Sequence, residues 1–277
     1  MTQVVIENPI INSPFNEPGR HFRFTDDGIT NEIVEDRRVS SYFVPIAQPR
    51  KKGGRQASLF ETEWTQDRIE ENALVNDIRR RVGMWRQGGY LGVTPTTARL
   101  LAYWTDPGRE KKLFFCQIEA LETAIYITEA ARKFNDAWIE NQLREANDTS
   151  NPGLPRTAFK MATGSGKTVV MAMLIAWHTL NKRANPQDAR FSDAFLIVTP
   201  GITIRDRLRV LYPNDPQSYY RQRDIVPAHL TEQLGQAKIV ITNFHGFGLR
   251  EKVATGKLTR SILADGQASP FTETPDQ

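Results

Sequence analysis

Cysteine is nearly missing from this chain: Cys116 stands alone among 277 residues. That excludes an internal disulfide framework and a multi-cysteine zinc site, and it suits a reducing cytoplasm. Long apolar runs are missing as well. No stretch reaches the roughly 18 uncharged apolar residues that a bilayer span requires, so no membrane contact is expected. The N-terminus has no basic start followed by an apolar block, the mark of a secretory signal. Cytoplasmic localisation is the expectation. The four histidines, His21, His178, His229 and His245, are scattered and none pairs at metal-ligand spacing. Internal repeats and low-complexity tracts are also absent.

What is there is the ordinary balance of a globular protein that can bury a core, with 39% hydrophobic and 25% charged residues. The net charge of +4 is mildly basic and by itself says little about nucleic acid. Two local concentrations matter more. "RKKGGR" (50–55) contains two glycines and reads as a solvated linker. "IRDRLR" (204–209) follows a strand signal, where either an exposed helix face or a phosphate contact fits.

Residues 1–57 are rich in Pro, Asn, Asp and Gly. Within them "HFRFTDDGITNEIV" reads as a hairpin-like element around an Asp-Gly turn, on an extended arm. From Leu59 to Gly88 the spacing of Trp64, Ile69, Leu74, Ile78, Val82 and Trp85 predicts helix. "TPTTARLLAYW" opens with a helix-start signal at Thr94 and Pro95. The stretch 111–143 is the longest helical pattern, with Phe115, Ile118, Leu121, Ile125, Phe134, Trp138 and Leu143 near one face. "NDTSNPGLP" ends it. The rhythm then changes. "RTAFKMAT" reads as a strand, "TGSGKT" as a turn, "KTVVMAMLIAWHTL" as an apolar helix, "DAFLIVTP" as a strand, "ITIRDRLRVL" as a helix and "AKIVITNF" as a strand. Strands alternating with helices predict a parallel sheet with crossover connections. The tail after Lys257 loses its apolar pattern.

The turn carries the chemistry. Gly166, Lys167 and Thr168 fit the second half of G-x-x-x-x-G-K-[ST], while Met161 stands where the pattern has its first glycine. Gly164 and Gly166 let backbone N–H groups turn inward toward phosphate oxygens. A helix starting there points its positive dipole end at the same anion. Lys167 supplies a point charge for β- and γ-phosphates, and the Thr168 hydroxyl suits Mg²⁺. A glycine-rich turn before a helix is the plain alternative. The strand–loop–helix context favours phosphate binding.

"MATGSGKT" resembles motif I of superfamily 2 helicases and translocases. Three further segments fall in the matching order: "LFFCQIEAL" before the loop, then "FLIVTPGITIRDRL" and "KIVITNFHGF" after it. The wording "PGITIRDRL" and "TNFHGF" is most similar to the helicase-like part of type III restriction enzymes, the Res subunit, over about residues 110–250. The resemblance implies an α/β fold, a P-loop NTPase with a partial RecA-like parallel sheet. It would be preceded by a helical segment and an N-terminal β-containing arm. The expected division is 1–57 arm and linker, 58–109 helical accessory region, and 110–277 first RecA-like domain.

It implies ATP and Mg²⁺ as cofactors, and double-stranded DNA as partner, with a methyltransferase subunit in some systems. Gln117 would read the adenine edge, with Phe114 or Phe115 stacking near the base; an outward polar position on a helix is the alternative for Gln117. Thr163, Gly164, Ser165, Gly166, Lys167 and Thr168 would bind the phosphates, Thr168 would hold Mg²⁺, and Lys167 and Thr168 would serve catalysis. Gly201, Thr203, Arg205, Thr242 and Asn243 would face the nucleic-acid backbone.

One requirement of that family is not met. Hydrolysis needs a D-E-x-[HD] segment at another strand end, to hold Mg²⁺ and activate water. Asp26-Asp27 lies in a turn upstream of the loop, and Glu70-Glu71 lies upstream on the predicted helix. The acids after Ile241 are isolated. The chain therefore reads as an N-terminal piece of a longer ATP-dependent translocase of a type III-like restriction system, able to hold ATP but not to hydrolyse it alone. "GREKK" does not form a nuclease site. Two other readings stay open: a nucleotide- or DNA-binding module without catalysis, and another P-loop enzyme such as a kinase. "NKRANPQDARFS" is a poor match for a kinase lid. His178 is expected as a packed or capping residue and Cys116 as a small core residue.

Overall fold

The structure, a computed structural model, describes Ile6 and residues 8–25, 28–45 and 67–247. The "RKKGGR" linker, Asp26-Asp27 and the tail after Phe247 lie outside the described residues. Strands β1 (His21–Thr25) and β2 (Gly28–Val34) pair antiparallel, as the hairpin signal predicts. Strand β3 (Ser41–Pro45) pairs antiparallel with β4 (Asp67–Glu71), with Ser41 opposite Glu71. Residues 67–71, including Glu70 and Glu71, were expected in a helix. Their partner lies some 26 residues upstream, and local spacing cannot reveal so distant a ladder.

Helix α1 (Ala73–Gln87) buries Ile78, Val82 and Trp85 on one side. Helix α2 (Pro95–Thr105) starts as its sequence predicts: Thr94 caps it, its side chain accepting from the Thr97 N–H. The pattern over 111–143 resolves into two helices, α3 (Phe115–Ile125) and α4 (Ala137–Ser150). Between them the chain tightens through a π turn and a 3₁₀ turn, then breaks at Asn135, whose φ is 61°. Asparagine tolerates that left-handed conformation. The break also carries Asp136 inward, where the buried Tyr126 hydroxyl and the Trp138 indole N–H (2.9 Å) donate to it.

Helix α5 (Lys167–Ala184) is the centre of the molecule. Val169, Val170, Ala172, Met173, Ile175, Ala176, Trp177 and Leu180 are all buried, so the helix is covered on nearly every side. Strand β5 (Ala194–Thr199) follows, then α6 (Ile202–Arg207) with a 3₁₀ extension to Leu211, the short helices α7 (Tyr219–Gln222) and α8 (Thr231–Leu234), and β6 (Lys238–Asn243). β5 and β6 pair in parallel, Ala194 with Lys238 through to Thr199 with Asn243. This helix-connected parallel pair gives a partial RecA-like α/β fold.

Residues 156–163, expected to form the strand before the phosphate loop, are in no strand. A strand is made by its neighbour's hydrogen bonds, and among the described residues β5 has only β6. One apolar core joins α1 and α2 to α3, α5 and the α7–α8 region. His178 packs as expected, against Trp177, Phe191 and Phe195. No helix among the described residues is long and apolar enough to cross a membrane.

A polar knot lies inside that core. The buried Glu129 carboxylate accepts from the Thr94 N–H (2.7 Å), the Thr97 hydroxyl (2.6 Å) and the Trp177 indole (2.9 Å). It thereby joins α2, the turn after α3 and α5. Glu129→Ala would strand these donors and should lower the unfolding free energy by roughly 3 kcal/mol, since each orphaned buried group costs about 1–3 kcal/mol. Glu129→Gln, which keeps an acceptor oxygen, should cost less. Urea unfolding of the two variants checks the order.

Candidate nucleotide site and strand-end surface

Residues Thr163, Gly164 and Ser165 form the turn that delivers the chain to α5, and Gly166 is the residue before its first turn. Gly164 has φ +81° and Gly166 φ +80°, a left-handed conformation that side chains resist. The Ser165 hydroxyl donates to the Ala162 carbonyl at 2.7 Å, and Lys167 Nζ donates to the same oxygen at 2.8 Å. Among the described residues, the N–H groups of Gly164, Gly166, Lys167 and Thr168 donate to no protein acceptor. They are the orphan donors of a helix start, with the helix dipole behind them. The lysine side chain, exposed and resting on a carbonyl, lies beside the same turn.

Gln117 is the brace under this loop. It is 95% buried, on the first turn of α3. Its Oε1 accepts from the Phe114 N–H at 3.0 Å, closing half of a capping box, and its Nε2 donates to the Ser165 carbonyl at 3.0 Å. The amide therefore ties the start of α3 to the phosphate loop. One N–H and one acceptor lone pair remain beyond these two bonds. Cys116, expected in the core, is exposed, with Sγ 3.9 Å from the Ser165 carbonyl oxygen. It sits on the outer side of the helix turn whose inner side Gln117 occupies, and partial desolvation of the thiol pushes its pKa up.

The second group of predicted residues collects at the C-terminal ends of the parallel strands. Thr242 and Asn243 end β6 opposite Val198 and Thr199 of β5. Thr199 joins the two ends, its hydroxyl lying 3.0 Å from the Gly201 carbonyl and 3.3 Å from that of Thr242. Gly201 precedes α6, on which Thr203 is exposed. Arg205 is half-exposed and its guanidinium pairs with the neighbouring Asp206 (2.9 Å). A cavity of about 720 Å³ is lined by Thr168 of α5 together with Asp206, Arg207, Arg209 and Asp215; the five predicted strand-end residues are not in its lining. The start of α5 and the end of α6 thus border one cavity. Among the described residues no cluster of three or more His, Cys, Asp or Glu could hold a metal by itself.

Sequence patterns gave no sign of the groups behind α3. Arg86 of α1 makes hydrogen bonds of 2.6 to 3.0 Å to the fully buried Glu122, which also accepts from the Tyr90 hydroxyl at 2.5 Å. Burial and then the Glu122 charge push the Tyr90 phenol up. Arg37 from the N-terminal arm makes two bonds of 2.7 Å to Glu119. Both guanidinium groups face the Phe115 ring, at 5.5 Å for Arg37 and 4.9 Å for Arg86. None of these contacts is local in sequence, so no spacing predicts them.

The brace has a measurable consequence. A Cβ at Gly166 would lie 2.2 Å from Gln117 Nε2, in addition to its left-handed strain. Gly166→Ala should lower stability by more than the ~1–2 kcal/mol of the backbone strain alone. Adding Gln117→Ala should recover part of that loss. Thermal unfolding of both single variants and the double variant measures the coupling.

Comparison with known proteins adds one finding. No curated protein and no solved structure matches the chain. A family model, that of the type III restriction enzyme res subunit, matches residues 110–263. That span holds Gln117, the phosphate loop, both parallel strands and α6, and it covers more than half of the chain; the protein belongs to the type III restriction enzyme res subunit family.

Proposed function

We propose that this chain carries the ATP-binding half of a DNA translocase or helicase motor in a type III-like restriction system. The family indicates a helicase-like, ATP-dependent function. The observation that carries the finer reading is the loop itself. Four undirected amides and a lysine surround one turn, which two glycines hold open and Gln117 braces from below.

The residues fit ATP with Mg²⁺. Gly164, Gly166, Lys167 and Thr168 would direct their N–H groups at phosphate oxygens. Lys167 would exchange the Ala162 carbonyl for a phosphate. The Thr168 hydroxyl would take one Mg²⁺ position. Mg²⁺ commonly binds through one or two protein oxygens plus substrate phosphates, which suits a loop without a protein metal cage. Bound Mg²⁺ and ATP would supply the phosphoryl chemistry; the chain's own residues hold, orient and neutralise charge.

Gly201, Thr203, Arg205, Thr242 and Asn243 would meet the backbone of double-stranded DNA. Their support is position: ligands of open parallel sheets gather at the carboxyl ends of strands. The cavity between Thr168 and α6 offers the short path by which nucleotide state would reach that surface. A methyltransferase subunit is the partner that the family suggests.

Two measurements test the reading. Lys167→Ala should weaken binding of a non-hydrolysable ATP analogue by tenfold or more, on the order of the 1.5–3 kcal/mol of a charged hydrogen bond. Equal binding in both proteins would discard the loop assignment. Residues 1–277 alone should show negligible ATP turnover with or without double-stranded DNA, because their sequence holds no D-E-x-[HD] pair. Turnover that Lys167→Ala abolishes would reveal carboxylates elsewhere in the chain.

A further inference from the structure

The N-terminal arm and α1 border a cavity of about 970 Å³, and of its lining residues only Trp138 lies in the family-matched span. Five arginines line it, Arg37 and Arg38 from the arm and Arg79, Arg80 and Arg81 from α1. Three of them have carboxylate partners. Arg37 pairs with Glu17 at 2.6 Å and with Glu119 at 2.7 Å, Arg80 pairs with Asp77, and Arg81 lies 3.4 Å from the buried Asp136. The other two have none among the described residues. Arg38 lies over the Phe24 ring, 4.2 Å from its centroid. Arg79 is half-buried, and among the described residues its guanidinium donates to no acceptor.

Burial, and after it the charge of Arg37, push the Arg79 pKa down; Glu119, which Arg37 already holds, offsets this only in part. The acids of the cavity do not supply the missing partner. Glu17 and Asp77 belong to the pairs above, and Asp36 accepts from the Arg37 N–H at 2.6 Å. Glu71 is exposed at the end of β4 and makes no ion pair among the described residues. Pairing between exposed charges contributes little. Unmet N–H donors and an uncompensated, half-buried charge both cost free energy. An anion in the cavity relieves both.

We propose that this cavity is a second anion site, in which Arg38 and Arg79 hold a phosphate-bearing ligand beside the fixed charge of Arg37. Guanidinium groups match phosphate oxygens with paired, charge-assisted hydrogen bonds. The cavity volume falls in the range of about 300–1,000 Å³ that ligand sites occupy. Its walls are set before a ligand arrives. Ile78, Val82 and Trp85 fix α1 in the core, and Glu17 ties the arm to Arg86 of α1 at 3.1 Å. Arg37 ties the arm to α3 through Glu119. Little ordering cost therefore opposes binding. The site does not rest on the reading of residues 163–168 as a phosphate loop. Free polyphosphates and nucleic-acid strands both carry the phosphate groups it fits, and the two sources are separable by experiment.

Calorimetric titration of the 277-residue chain carrying Lys167→Ala, which removes the cation of the loop, tests the site with two probes. One is inorganic tripolyphosphate; the other is a short single-stranded oligodeoxynucleotide. At least one probe should bind. Adding Arg79→Gln should weaken that binding about tenfold or more, as loss of charged hydrogen bonds does. Arg79→Lys, which keeps the charge but not the fork, should lose less. Arg79 has no partner within the protein, so Arg79→Gln should resist urea as well as its parent. Arg38→Gln, on the exposed arm, should weaken binding without touching α1. Stronger binding of tripolyphosphate assigns the site to small phosphate ligands, and stronger binding of the oligonucleotide assigns it to a strand. Binding of neither probe overturns the proposal, and so does binding that Arg79→Gln and Arg38→Gln both leave unchanged.

Discussion

The structure depends on one amide. Gln117 spends its oxygen on the chain that starts α3 and its nitrogen on the carbonyl of Ser165. A buried amide with missing partners costs free energy, so the position of α3 and the shape of the loop are bound together. Gly166 completes the joint. Its left-handed backbone turns the chain into α5, and its missing side chain leaves room for Gln117 Nε2. From this joint α5 runs through the apolar core. The loop is thus held at its base by a brace and at its exit by α5, the most buried helix among the described residues.

Behind α3 a second layer of constraint acts through charge. Glu17, Arg37, Glu119, Arg86 and Glu122 form a continuous network between the arm, α1 and α3. The buried end, Glu122, needs Arg86 and Tyr90 as partners, and removing one member would leave a charge without compensation. Such a network holds geometry. It fixes where the arm lies against α3, and so where Pro14 and Phe15 sit relative to Phe114. The Glu129 knot does the same for α2 and α5.

The glycine turn before α5, the β1–β2 hairpin, the cap at Thr94 and the strands β5 and β6 were legible from the chain because each is encoded within a few neighbouring residues. The errors share a cause. Residues 67–71 become a strand because residues 41–45 lie beside them. Residues 156–163 have strand composition and, among the described residues, no strand beside them. The apolar stripe over 111–143 spans a break at Asn135 that is stabilised by where Asp136 goes, not by the stripe. Cys116 looked like a core residue among Phe115, Gln117 and Ile118, yet the helix turns it outward. In the candidate site, Lys167, Thr168 and the two glycines were readable as a group. The double use of the Gln117 amide was not.

The sequence by itself determined that a glycine turn opens an apolar helix, that parallel strands follow, and that the candidate phosphate-binding residues are contiguous. These are properties of short segments, whose backbone preferences and apolar spacing act locally. Only the tertiary structure decided what stands around the turn. Residues well separated in the chain meet beside α3, with Phe15 against Phe114 and Glu17 between Arg37 and Arg86. The reason is physical: such contacts form when the core closes and desolvates partners that share no local pattern.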